Sequence, residues 1–353
     1  MAPSERRDPL QKNSVSMHAA SVILLSWAII GAAFFFSQAT AGVTAGVLAA
    51  LVALIGLPHG AADHRFARPR LEPVLGTAWL PVFLTGYLTV AVLVVCGWFV
   101  APAATVVAFF LASAWHFGQE EPRLPVGPRG MRPVFRFARG GLVVWTPLLF
   151  HARDVATILG LTAPGDSGPA IQQAIRVLTA CSWIMLPLAA AAWALQGLAA
   201  SRSTGRRRRV LLADNALVAS LVVLFAVVSP LVSFPVYFCG WHSARGLARL
   251  RRELGESWPE LARSLAPLTV GAIALIGLAA WLVLGGAGWN GTLIRATFVG
   301  LSAVAVPHLL LHGVAPLCEA SARRRMQSLH AQPRTSLQPR MNLKPRMNSG
   351  SPA

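Results

Sequence analysis

The feature that most constrains this chain is a succession of apolar windows, several of them 18 residues or longer and free of charge. A helix of about 20 residues, rising 1.5 Å per residue, covers the hydrocarbon core of a bilayer. Ten such spans can be drawn, at 18–38, 42–57, 79–98, 102–117, 140–160, 175–199, 210–228, 231–247, 266–286 and 294–315. Some are short or interrupted by Pro230, Pro235 or Pro307, which gives about eight to ten transmembrane helices. The alternating ten-residue pattern of a membrane barrel is missing. The expected fold is therefore an all-α, polytopic helical membrane protein. Composition agrees: 55% of residues are hydrophobic and 12% charged, where soluble domains carry about 25% charged residues.

The net charge of +18 would suit nucleic acid, but its distribution argues against that partner and for a membrane topology. Basic clusters fall at Arg6–Lys12, Arg65–Arg70, Arg123–Arg139, Arg202–Arg209, Arg245–Arg263 and from Arg323 onward. The alternate connections Ala39–Ala41, Phe99–Ala101 and Gly285–Thr292 are nearly free of Lys and Arg. Every second connection is basic, as ten spans with both termini in the cytoplasm require. The expected location is the cell (inner) membrane, multi-pass. The run from Ala19 to Phe36 is long for a signal peptide and reads as the first span. Residues 1–17 then form a cytoplasmic N-terminal segment, 18–315 the helical transmembrane domain, and 316–353 a basic tail of disordered composition. Cys96, Cys181, Cys239 and Cys318 are scattered without ligand or disulfide spacing.

In this topology the even-numbered spans end on the cytoplasmic side, and that is where histidines gather. His59 and His64 close the second span, His116 the fourth, His242 the eighth, and His308 and His312 the tenth. Six of the nine histidines thus share one depth on four helices, leaving His18, His151 and His330 elsewhere. Neutral imidazole binds Fe, Zn, Cu and Ni, and helices of a bundle can bring such side chains to one point. His308 and His312, spaced i, i+4, share a helix face. His59 and His64 stand about 140° apart on a helix, so they converge only if the helix ends between them, at Gly60. Taken singly, each histidine is an ordinary interfacial residue; the shared depth is what points to a metal. Asp63, Glu120 and Glu121 lie four or five residues after a candidate ligand and can either orient an imidazole or cap helices and pair with arginines. Cys239 reads as packing.

Four stretches, "GLPHGAADH", "SAWHFGQEE", "YFCGWHSARGL" and "VGLSAVAVPHLLLH", together resemble the Brp/Blh family of membrane beta-carotene 15,15'-dioxygenases. The resemblance covers about residues 45 to 315, in order. It implies a non-haem Fe(2+) held by histidines, O2 bound beside it, and central cleavage of beta-carotene or a related carotenoid to retinal. Carried over by motif, His59, His116 and His242 match iron ligands, and no catalytic group beyond the ligands is implied. The resemblance implies a further histidine ligand shortly after His242-Ser243; here Gly246 stands where it would fall, which leaves water or His308 for the fourth place and His312 as a further substitute. Trp115, Phe117, Tyr237, Phe238 and Trp241 flank the histidines and are candidates to line an apolar tunnel, membrane lipid being the solvent of the substrate. The alternatives are a divergent or inactive member, a membrane di-iron hydroxylase or desaturase, for which only the His308/His312 box fits, and a transporter using histidines as a proton relay.

Overall fold

A computed structural model of the chain describes residues 9–35, 41–120, 128–162, 167–284 and 289–331. It falls into two compact units, Met1–Gly313 and Val314–Ala353, and the first carries everything below. Among the described residues all regular structure is helical. In chain order the helices are α1 (Pro9–Phe35), α2 (Ala41–Leu51), α3 (Leu57–Ala61), α4 (Asp63–Leu75), α5 (Trp79–Val100), α6 (Pro102–Glu120), α7 (Arg132–Gly140) and α8 (Leu142–Phe150). There follow α9 (Ala152–Gly160), α10 (Gly168–Ser201), α11 (Gly205–Val227), α12 (Pro230–Pro235), α13 (Ala244–Leu254), α14 (Trp258–Leu284) and α15 (Trp289–Ala331). Two π-helical stretches interrupt the series, Val52–Gly56 between α2 and α3 and Val236–Ser243 between α12 and α13.

The protein is a polytopic membrane protein. Five stretches among the described residues are long and apolar enough to cross a bilayer: Thr44–Val100, Gly168–Ser201, Gly205–Val227, Trp258–Ala279 and Gly291–Gly313. The pair α8 and α9, bent by 104° at His151, makes a sixth if counted as one span. Leu24, Trp27, Leu54, Val92, Trp183 and Ile184 are exposed, a belt that water would not tolerate and lipid does. The ten sequence windows map unevenly onto these elements. Thr44–Val100 contains 79–98 and all but the first two residues of 42–57, with the basic α4 between them. The window 140–160 is the bent pair, and 231–247 is α12 followed by a π-helical stretch rather than one straight helix. Pro230 sits in the first turn of α12, where a missing N–H is least costly, and Pro235 lies at its other end, against the π-helical stretch.

Packing is built from interior side chains that also close polar contacts. Trp98, Trp145 and Phe225 are fully buried. The Trp98 indole on α5 donates to Ser302 Oγ on α15 at 2.8 Å, the partner a buried indole needs, and the exposed Trp27 on α1 donates to Ser220 Oγ on α11 at 3.1 Å. α6 and α7 approach until backbone meets backbone: a Cβ on Gly140 would lie 2.1 Å from the Gly118 nitrogen. Only glycine fits there, and the contact fixes the end of α6 that carries His116.

Candidate metal centre

Four elements deliver imidazoles to one place. α3 and the π-helical stretch Val52–Gly56 carry the chain to His59, α6 presents His116, the second π-helical stretch presents His242, and α15 presents His308. A π-turn widens the helix and rotates the side chains beyond it by a residue's worth of register, which is why such turns concentrate at functional sites. Here one immediately precedes α3 with His59 and the other contains His242, and the two stretches pack on one another. The ring of His59 lies 5.0 Å, centroid to centroid, from both His242 and His308. His116 stands 5.4 Å from His242 and 5.0 Å from His308. Donor atoms of His59, His242 and His308 all fall within 4.8 Å of one another.

The donor set fits a metal. His59 Nε2 and His116 Nε2 are buried and have no hydrogen-bond partner among the described residues. A buried polar atom left unpaired costs about 1–3 kcal/mol, so these nitrogens are addressed to something the polypeptide does not supply. His308 is oriented by Asp63, which is almost wholly buried. Its Nδ1 lies 2.8 Å from Asp63 Oδ1. A carboxylate only accepts, so Nδ1 carries the proton and Nε2 keeps its lone pair. Asp63 Oδ1 also accepts from His312 Nε2 at 3.1 Å. The phenol of Tyr87 on α5 completes this shell, 3.2 Å from Asp63 Oδ2 and 2.7 Å from the Val304 carbonyl.

The other sequence candidates separate from the cluster. α3 ends at Ala61 and α4 begins at Asp63; across this break His64 turns back, its Nδ1 donating to the Ala61 carbonyl at 2.6 Å. His312 stands with Asp63 and packs on Phe66 rather than facing His59 and His242. Glu120 pairs with Arg249 at 3.4 Å, the structural role left open for it; Glu121 lies outside the described residues. Cys239 is buried packing. Of the flanking aromatics, Phe117 and Phe238 line the cavity at the cluster; Tyr237 stands behind Phe117, Trp241 stacks on His18, and Trp115 is exposed.

Gly246 has a steric role that its position in the motif does not reveal. A Cβ built there would lie 2.3 Å from Cε1 of His59. The His59 ring thus fills the space a side chain at 246 would need. Tyr87, also unforeseen, is one of two tyrosines in the chain, and a phenol inside an apolar span is the signal that could have found it.

The imidazoles face an apolar chamber of about 120 Å³ whose wall includes His59, His116, His242 and His308 together with Phe109, Phe110, Phe225, Phe234 and Phe298. Several imidazoles on one side and hydrocarbon on the other make this a candidate metal centre opening on an apolar chamber inside a membrane bundle. The sequence profile of the beta-carotene 15,15'-dioxygenases matches residues 49–314, and the chain belongs to that family. It is 28% identical over 272 residues to the beta-carotene 15,15'-dioxygenase of uncultured marine bacterium 66A03, covering 74% of this chain and 90% of that one. To the probable beta-carotene 15,15'-dioxygenase Blh of Halobacterium salinarum it is 31% identical over 259 residues, 67% of this chain and 74% of the relative. The probable beta-carotene 15,15'-dioxygenase Brp of the same organism is 28% identical over 305 residues, 77% and 83% of the two chains. No solved structure matches.

Proposed function

We propose that this chain cleaves the central double bond of beta-carotene, or of a related carotenoid, with O2 to give retinal, using Fe(2+) held by His59, His116, His242 and His308. The observation that carries this reading is the pair of partnerless buried nitrogens, on His59 and His116, in a chamber otherwise walled by hydrocarbon. Bound iron would supply the O2 chemistry that no side chain provides. In the balance, one C=C bond and the O–O bond break and two C=O bonds form; each aldehyde takes one oxygen atom, and no outside reductant is consumed. The residues' part is positional. Asp63 holds His308 with its Nε2 free, Phe117 and Phe238 keep water away, and among the described residues no carboxylate lines the chamber to act as acid or base.

The catalytic unit is the stretch 18–315, flanked by 1–17 and 316–353. The basic helices α4 and α13 begin within four residues of His59 and His242, and the basic α7 is the next α-helix after the one that carries His116, which supports a cluster at the basic end of the bundle. By the positive-inside rule that end faces the cytoplasm, with both termini there and the protein in the inner membrane. Expression in cells that accumulate beta-carotene tests the reading: the orange colour is lost, retinal appears, and purified protein carries about one iron per chain, as a single imidazole cluster requires. Colour retained with no retinal overturns it.

A further inference from the structure

A second cavity, about 590 Å³, lies between α5, α14 and α15. Its rim reaches the exposed side chains Val92 and Leu275, so it opens onto the lipid-facing surface. Small residues on one face of α15, Ala296, Gly300 and Ala303, give it the form of a groove along that helix. From Arg295 at one end of this wall to Val304 at the other is nine residues, about 14 Å of helix.

Gly60 and Val304 line both this cavity and the histidine chamber. The partition between the two is therefore thin, and it lies beside the imidazoles: Gly60 follows His59, and Val304 stands one turn before His308. A Cβ at Gly60 would meet nothing nearer than Tyr87 Oη at 3.9 Å. The histidine chamber alone, at about 120 Å³, is smaller than the roughly 300–1,000 Å³ that small-molecule sites provide. The neighbouring cavity falls within that range.

We infer that one long polyene extends through both cavities, with its scissile bond at the waist formed by Gly60 and Val304. This rests on the dioxygenase reading and adds to it where the two arms of the substrate lie. His59 and His308 line the smaller chamber beside that waist, so a bond held there has one arm of the chain in each space. Gly60 and Val304 determine specificity by setting the width of the waist, and the α14 wall does so by holding the distal half.

The test fills the groove away from the histidines. Ala272→Trp on α14 and Ala91→Phe on α5, both at positions that line this cavity, are purified as full-length protein in detergent. Iron content, kcat/KM and product length are measured on a symmetrical carotenoid and on a polyene truncated on one side. Both variants are expected to keep wild-type iron, to lose about tenfold or more in kcat/KM on the full-length substrate, and to stay within about threefold on the truncated one. Equal losses on both substrates, or no loss on the full-length one, overturn the two-cavity inference while the dioxygenase reading stands. A wild-type protein that cleaves neither overturns both.

Discussion

Arg139, Gln196 and Asp214 are buried together where α7, α10 and α11 meet; His59, His116, His242 and His308 are buried together where α3, α6, the second π-helical stretch and α15 meet. Both groups place polar atoms inside an apolar bundle, where each one is costly. They differ in what answers them. The guanidinium of Arg139 donates to Gln196 Oε1 and Asp214 Oδ2, and Gln196 Nε2 donates to the same carboxylate. Charge meets opposite charge, and the set ties three helices together. In the histidine group like faces like, and two nitrogens stay unanswered. A buried cluster whose opposite charges pair within it is a fastening; one whose like groups turn toward a common centre is a receptor.

The sharpest way to break this contrast is to remove one member from each group. His242→Ala is expected to abolish cleavage and strip the iron, with the folded bundle retained, since the ring it removes serves the centre rather than the packing. Asp214→Ala is expected to do the reverse. It leaves the Arg139 charge buried without its carboxylate, a loss of about 3–5 kcal/mol in stability, while the protein that does fold keeps its iron. Thermal melts in detergent, read beside iron content, separate the two. If Asp214→Ala lost iron without loss of stability, the contrast would be wrong.

Gly246 sharpens the same comparison at the edge of the receptor. Gly246→Ala is a small change at most helical positions. Here the added methyl carbon would sit 2.3 Å from the His59 ring, so the ring must rotate away from the shared centre. The expected outcome is a loss of iron affinity and of activity out of proportion to the loss in melting temperature. Gly246→His should be worse, although the motif alone suggests that it would add a ligand. Iron titration of the two variants decides: binding at wild-type affinity in either one would mean that His59 does not need that space.

The membrane fold was legible in the sequence because transfer of apolar residues to lipid depends on composition over a window, which needs no tertiary knowledge. The four clustered histidines were legible because each sits near an end of its apolar window, a property of position alone. The π-helical turns were not legible, since nothing in "VALIG" or "VYFCGWHS" marks the extra residue per turn, and those turns decide which way His59 and His242 face. Nor was the division between His308 and His312. Both lie on one face at i, i+4, and only the arrival of Asp63 from α4 orients one toward the centre and draws the other aside. The role of Gly246 was hidden for the same reason: a missing side chain has meaning only once its neighbour is known.

Asp63 and Tyr87 provide the finest test, because they touch the receptor without belonging to it. Asp63→Asn keeps the size and one acceptor oxygen but loses the charge that two imidazoles share. Removing such an orienting partner typically costs about 10–100-fold in metal affinity or activity, and that is the loss expected here. Tyr87→Phe deletes only the hydroxyl. The phenol has one proton for two acceptors, Val304 O at 2.7 Å and Asp63 Oδ2 at 3.2 Å, and the shorter contact is to the carbonyl. Most of the loss should therefore fall on the hold between α5 and α15, about 0.5–1.5 kcal/mol for one hydrogen bond, with iron affinity changed by less than in Asp63→Asn. An iron affinity in Tyr87→Phe as poor as in Asp63→Asn would mean that the phenol, not the imidazoles, sets the orientation of Asp63, and the boundary between fastening and receptor would have to be drawn one residue further out.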